Sequence, residues 1–178
     1  CVEYTDNSLR KFFEAARQQP WFDNTIFIIT GDHSGPALSA NYTGYDGGYR
    51  IPLIVFDARH PQGIVSQRIV QQTDILPSIV DWLNLEGTTL AFGQSVKNGT
   101  PGWQIYYGND YFCMVSNNPK DSTIHDITVI SSYHQDSSNT EHSMKSIHEE
   151  GTLENKRFLK AVVQQYFERV IGNKLIAQ

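Results

Sequence analysis

The apolar and polar positions divide the chain into stretches of different period. Between residues 4 and 18, Leu9, Phe12, Phe13 and Ala16 recur at helical spacing and so fall on one face of a helix. Thr5 or Asp6 can cap its first turn, and Pro20 ends it. The following run, Asn24 to Thr30, is short, apolar and β-branched, and Gly31 bounds it, the pattern of a strand buried on both faces of a parallel sheet. A Gly- and Tyr-rich loop, 34–50, leads to a second apolar run, Pro52 to Phe56, with the proline at the first strand position, where its missing amide costs least. Residues 73–83 read as a second helix with Pro77 in its first turn.

After Gly93 the texture changes. Gln104–Tyr107, Tyr111–Ser116 and Ile127–Ile130 are short strand-like segments separated by turn residues, the pattern of a small antiparallel meander. Residues 134–150 are polar and aperiodic and read as a surface loop. From Thr152 to Leu175, Leu159, Val162, Val163, Tyr166, Phe167, Val170 and Ile171 form an apolar helical stripe expected to pack on a sheet. No internal repeat is visible. The order of elements predicts an α/β fold in one folded unit, with residues 1–95 as an α/β core portion and 96–178 as the meander plus C-terminal helix.

Composition narrows the classes. A length of 178 residues with 39% hydrophobic content is enough for one sizeable core. The formal charge of −5, without any basic stripe, excludes a nucleic-acid partner, which needs clustered Lys and Arg against phosphates. No apolar run reaches the ~20 residues that cross a bilayer, and no signal-peptide pattern is present, so the chain itself reads as soluble. Cys1 and Cys113 lack metal or disulfide-framework spacing and leave the redox compartment open. A start at Cys1, running almost at once into an amphipathic pattern, is expected of a piece cut from a longer protein.

Candidate chemistry concentrates in Phe27–Gly35. Asp32 and His33 follow the first strand at its C-terminal mouth, where open α/β sheets form ligand crevices. A carboxylate beside an imidazole suits a divalent ion, and Gly31 and Gly35 permit tight turns and close approach. The alternative reading of the pair is a strand-end Asp capping local amides beside a surface His. His134, His142 and His148, near Asp136, Glu141, Glu149 and Glu150, admit a second metal site, although a solvated loop accounts for them more simply. His60 and His125 read as surface turn residues. Tyr42, Tyr45, Tyr49 and Arg50 suit either contact with a phosphate or head group or plain packing. Trp82 reads as core, and no Walker or dinucleotide glycine motif occurs.

Several landmarks in order carry a family resemblance. Tyr4–Leu9 and Phe22–Thr25 precede the strand that leads into Asp32-His33, and Tyr49–Val55, Gln72–Ser78 and Phe92–Ser95 follow it. In this the chain resembles the C-terminal half of sulfatases within the alkaline-phosphatase superfamily. It is most similar to the branch of lipoteichoic acid synthases and phosphoglycerol transferases, a likeness to which Leu159–Tyr166 adds. The resemblance implies the C-terminal part of an alkaline-phosphatase-like three-layer sandwich. It also implies a bacterial parent anchored in the inner membrane by N-terminal helices, with an extracytoplasmic catalytic domain. There a Thr nucleophile attacks a phosphodiester of a lipid head group. The cofactor implied is Mn²⁺ or Mg²⁺, with Zn²⁺ or Ca²⁺ as further options, and Asp32 and His33 are the matching ligands in this chain.

The sequence departs from the family pattern in two respects. Neither Cys1-Val2-Glu3-Tyr4 nor Cys113-Met114-Val115-Ser116 supplies the C/S-x-P-x-R context of formylglycine sulfatases, so no catalytic nucleophile can be named here. No second His follows shortly after His33. The chain alone is therefore expected to be inactive, and self-association through surface left exposed by truncation is expected. Two alternatives remain. One is hydrolysis of a sulfate ester or phosphonate on the same fold, with a sulfated or phosphorylated glycan among the substrates. The other is a non-catalytic module that recognises glycans or partners.

Overall fold

A computed structural model describes residues 2–35, 42–43, 47–63, 65–98, 101–108, 111–120, 125–131 and 150–175. The elements are α1 (Val2–Ala16), β1 (Ile26–Thr30), β2 (Leu53–Asp57), α2 (Ile75–Trp82), β3 (Trp103–Gly108), β4 (Tyr111–Asn117), β5 (His125–Ser131) and α3 (Leu153–Ile171). The mixed α/β class, the antiparallel meander and the C-terminal helix are all present. In place of a single folded unit, the chain forms two compact units, 1–65 and 66–178. Both clusters of buried apolar residues lie in the second unit, while in the first Ala16 and Phe22 are buried, and residues 66–95 group with the meander.

In the first unit, α1 packs on a ribbon of β1 and β2. Phe13 lies 5.1 Å from Phe27 and 5.6 Å from Phe56, ring centre to ring centre, and Phe22 closes over the same two rings at 5.5 and 6.0 Å. Phe27 and Phe56 are direct cross-strand partners, so the cluster ties the pairing register to the helix. The expectation of a parallel sheet is corrected, because β1 and β2 run antiparallel, with Ile26 opposite Asp57 and Thr30 opposite Leu53. Nor is β1 buried on both faces: its residues are half-buried and Thr30 is exposed. An apolar run reports that a strand can be buried, not which neighbour it pairs with or in which direction. Helix α1 begins at Val2, so Thr5 and Asp6 are interior to it and do not cap it. It ends at Ala16, ahead of Pro20, where the amides of Arg17 and Gln19 bond back to Phe13 and Ala16.

In the second unit the meander has the order β3-β4-β5, antiparallel throughout. The central strand β4 alternates: Cys113 and Val115 face one way with Val129, and Met114 faces the other with Ile130 and Leu159 of α3. Leu159 is 0% exposed, and Val163 packs on the same cluster. Farther along the helix Phe167 still meets Phe112 of β4 edge to face at 6.2 Å, and the stripe leaves the sheet in the last turn, with Val170 exposed and Ile171 81% exposed. Thr152 caps α3 by accepting the amide of Asn155 at 3.1 Å. Pro77 occupies the third position of α2, where its missing amide has no helical partner to lose. Trp82 is half-buried, short of the core position expected of it. His125 opens β5 opposite Asn117 and is not a turn residue.

Two close backbone approaches hold segments to this unit. A Cβ on Gly102 would stand 1.9 Å from the carbonyl oxygen of Ile69, and next to it Asn117 accepts the Ile69 amide at 2.7 Å. A Cβ on Gly93 would stand 2.3 Å from the backbone of Thr73. Glycine is required at both positions for want of space.

Candidate functional site

Strand β1 ends at Thr30, and Gly31 carries the chain to Asp32 and His33. Both side chains point to solvent, the Asp32 side chain 88% and the His33 side chain 80% exposed. The carboxylate is braced locally, because the His33 amide donates to Asp32 Oδ1 at 2.9 Å. The imidazole is braced as well, with Nδ1 2.8 Å from the carbonyl oxygen of Ser34. A carbonyl can only accept, so this contact assigns the proton to Nδ1 and leaves the Nε2 lone pair outward. Nε2 stands 3.5 Å from Asp32 Oδ2. The Ser34 hydroxyl donates to the carbonyl of Gly48, linking the segment to the chain ahead of β2.

That arrangement bears on metal binding in two ways. Adjacent donors of a tetrahedral site with bonds of ~2.1 Å stand ~3.4 Å apart, so the pair has the spacing of neighbouring ligands. A ligating imidazole also commonly donates its other N–H to a carbonyl, as Nδ1 is placed to do here. Two donors do not make a site, however, and among the described residues no group of three or more His, Cys, Asp or Glu stands together to hold an ion. The pair therefore fits part of a coordination shell. The Ser34 carbonyl, and after it the Asp32 charge, raises the His33 pKa above its ordinary value by favouring the protonated ring.

The flanking glycines behave differently from expectation. Neither is in the left-handed region, a Cβ on Gly31 would make ordinary contacts at 3.6 Å, and one on Gly35 would meet nothing within 4 Å. Close approach to a ligand is thus not enforced by the fold at these positions. Tyr42 and Tyr49 are about half exposed and Arg50 is exposed. Tyr45 lies outside the described residues, as do Cys1, His134, Asp136, Glu141, His142, His148 and Glu149. Glu150 is described, and its carbonyl accepts the amide of Val129 at 3.1 Å. Cys113 is buried and not in a disulfide.

Sequence reasoning passed over a second polar cluster. Asp57, the last residue of β2, accepts the Arg59 side chain from Nε at 3.0 Å and Nη2 at 2.8 Å, the Arg59 amide at 3.0 Å, and a contact from His60 Nδ1 at 3.2 Å. The paired Arg59 guanidinium and amide hold its carboxyl well below the usual carboxylate range. The antiparallel register puts Asp57 opposite Ile26, at the far end of the ribbon from Asp32 and His33, so these are separate features. The Asp-x-Arg-His sequence at the end of an apolar run was the available signal.

Comparison with known proteins finds partial likenesses. Residues 1–85 match the family model described as Sulfatase. The chain is 28% identical over 132 residues to the multifunctional alkaline phosphatase superfamily protein PehA of Trinickia caryophylli, covering 66% of this chain and 25% of that protein. It is 23% identical over 105 residues to an arylsulfatase of Clostridium perfringens, covering 54% of this chain and 22% of that one. The chain thus spans about a quarter of the length of these relatives. No solved structure matches it significantly. Together the matches support the alkaline-phosphatase superfamily, whose sulfatase members use divalent metals, and they do not single out the phosphoglycerol transferase branch. Among the described residues no helix is long and apolar enough to cross a membrane.

Proposed function

We propose, taking the sulfatase-family match of residues 1–85 as premise, that this chain supplies two ligands, Asp32 and His33, to the divalent-metal site of an enzyme that cleaves sulfate or phosphate esters. The observation carrying this reading is the 3.5 Å separation of Asp32 Oδ2 and His33 Nε2, with Nδ1 turned to the Ser34 carbonyl. A divalent ion in such a site lowers the pKa of an attacking hydroxyl and neutralises charge on the group transferred. The residues of this chain hold and orient: Ser34 fixes the imidazole, and the His33 amide fixes the carboxylate. The nucleophile and the remaining ligands belong to other parts of the parent protein.

Within this reading the finer alternatives are phosphoglycerol-type transfer or hydrolysis on a lipid phosphodiester, in keeping with the resemblance to that branch to which Leu159–Tyr166 adds, and sulfate-ester or phosphonate hydrolysis, the sulfate ester in keeping with the name of the arylsulfatase relative. For the first, the metal is Mn²⁺ or Mg²⁺, the substrate a lipid head group and the location the outer face of the inner membrane. For the second, the substrate is a sulfated or phosphorylated glycan or aryl ester. Self-association applies only to the chain separated from its parent.

The deciding experiment titrates Mn²⁺ and Zn²⁺ calorimetrically into the parent protein and its Asp32→Ala/His33→Ala variant, and assays p-nitrophenyl sulfate beside bis(p-nitrophenyl) phosphate. Loss of metal binding and of turnover in the variant is expected. The preferred ester separates the two finer readings, and unchanged metal binding in the variant would sink the proposal.

A further inference from the structure

Residues 31–34 run on past β1 beside the chain that enters β2. The strand register pairs Thr30 with Leu53, and a Cβ on Gly31 would stand 3.6 Å from the Ile51 side chain. Farther on, the Ser34 hydroxyl donates to the carbonyl of Gly48, which is 14 residues away in sequence. Asp32 and His33 therefore lie between two contacts with the 48–51 segment, yet their own side chains are 88% and 80% exposed. Side chains so exposed have no packed neighbours to select a rotamer, and hydrogen bonds must orient them.

Ser34 engages both sides of this arrangement. Its carbonyl oxygen accepts from His33 Nδ1 at 2.8 Å, while its hydroxyl reaches the opposite segment. A carbonyl in an exposed, irregular stretch can turn about the backbone, and the acceptor that selects the Nδ1–H tautomer turns with it. Anchoring the side chain of the same residue on Gly48 restricts that turning, so the hydroxyl bears on which ring nitrogen keeps its lone pair. The Asp32 carboxylate is held separately, by the His33 amide at 2.9 Å, and does not depend on the hydroxyl.

We propose that the Ser34 hydroxyl is a positioning group for the Asp32–His33 pair: held on the Gly48 carbonyl, it keeps the Ser34 carbonyl on His33 Nδ1 and leaves Nε2, beside Asp32 Oδ2, as the nitrogen offered to a cation. The inference rests on the reading of Asp32 and His33 as metal ligands and adds to it a side chain that touches no metal. Loss of a group that orients a ligating imidazole weakens metal binding by roughly 10–100-fold. In Ser34→Ala the carbonyl survives and only its anchor is lost, so the low end of that range applies.

The test compares Ser34→Ala with Ser34→Thr, and uses Gly35→Ala, whose new Cβ would meet nothing within 4 Å, as the neighbouring control. In the metal-free 178-residue chain at alkaline pH, the ring-nitrogen NMR shifts of His33 report which nitrogen carries the proton. Ser34→Ala is expected to move the ring from the Nδ1–H form to a mixture of both tautomers; Ser34→Thr, which keeps the hydroxyl, and Gly35→Ala should not. In the parent protein, calorimetric titration with Mn²⁺ should show about tenfold weaker binding for Ser34→Ala, restored in Ser34→Thr. A ring already mixed in the unaltered chain, a tautomer unchanged by Ser34→Ala, an equal effect of Gly35→Ala, or a loss of affinity that threonine does not restore would each overturn the inference. Unchanged Mn²⁺ binding in Asp32→Ala/His33→Ala would overturn it together with the reading it rests on, and the metal-free ring measurement tells the two failures apart.

Discussion

Asp74 is 0% exposed, yet it carries a carboxylate, and replacing it shows how the second unit is assembled. Its Oδ1 accepts the amide of Gln94 at 2.8 Å and its Oδ2 the amide of Gln71 at 3.1 Å. Its backbone carbonyl accepts the Ser78 hydroxyl at 2.6 Å, and that hydroxyl accepts the Val96 amide at 3.1 Å. Asp74→Ala removes two hydrogen bonds to a charged acceptor, worth about 1.5–3 kcal/mol each, and orphans two amides. Against this, alanine relieves the cost of burying a carboxylate, so we take the low end and expect a net loss of about 3 kcal/mol. That is a large share of the ~5–15 kcal/mol by which domains are stable. Asp74→Asn keeps one acceptor oxygen for Gln94 and should lose about half as much. Urea unfolding followed by tryptophan fluorescence measures both, since with a slope of about 2 kcal/mol/M the alanine variant's midpoint should fall by about 1.5 M. A loss below about 1 kcal/mol, or an asparagine variant as damaged as the alanine one, would refute the view that this carboxylate joins the two segments.

Gly93→Ala should be at least as damaging, because the new Cβ would stand 2.3 Å from Thr73 backbone atoms that cannot swing aside, whereas Gly35→Ala, with nothing within 4 Å, should leave the melting temperature nearly unchanged. Calorimetric melting of the two variants compares them directly, and equal effects would contradict the packing described. The Asp57 carboxyl gives a pH prediction. Its folded pKa is depressed by Arg59, so the stabilisation it contributes is fully present above its unfolded value of about 3.9 and is lost as pH falls through the lower folded value. A carboxyl-carbon NMR titration should find Asp57 still ionised at pH 3, and Arg59→Ala should move its midpoint up toward 3.9; an ordinary midpoint in the parent protein would refute the pairing.

Periodicity located most elements, because the features it reads are local. The three- and four-residue spacing of Leu9, Phe12, Phe13 and Ala16 and the alternation of β4 each follow from the geometry of a single element. Partner choice was not legible. The apolar run Ile26–Thr30 would look the same beside a parallel or an antiparallel neighbour, and its pairing with Leu53–Asp57 is tied to the Phe27–Phe56 contact, which is remote in sequence. The solvent-facing end of the α3 stripe has the same cause, since Ile171 has the right phase but the 81% exposure of an unburied position. At the candidate site, sequence supplied Asp32 and His33 by type and adjacency, while the proton on His33 Nδ1 depends on where the Ser34 carbonyl turns.

The landmark segments acquire a physical meaning from the second unit. Gln72–Ser78 and Phe92–Ser95 were separate strings in the sequence, each carrying part of a resemblance. In the fold they are the two halves of one joint: Asp74 and Ser78 accept the amides of Gln94 and Val96, and Gly93 lies against Thr73 where no side chain fits. Each half needs the other, since a buried carboxylate without the Gln94 amide would be unsatisfied, and a glycine turn without Thr73 beside it would have no reason to exclude a Cβ. Motifs of this kind therefore mark an architecture that holds segments together. The chemistry must be sought elsewhere, at the braced and solvent-facing pair Asp32 and His33, because a group that binds a metal has to keep its lone pairs free, as a structural carboxylate like that of Asp74 cannot.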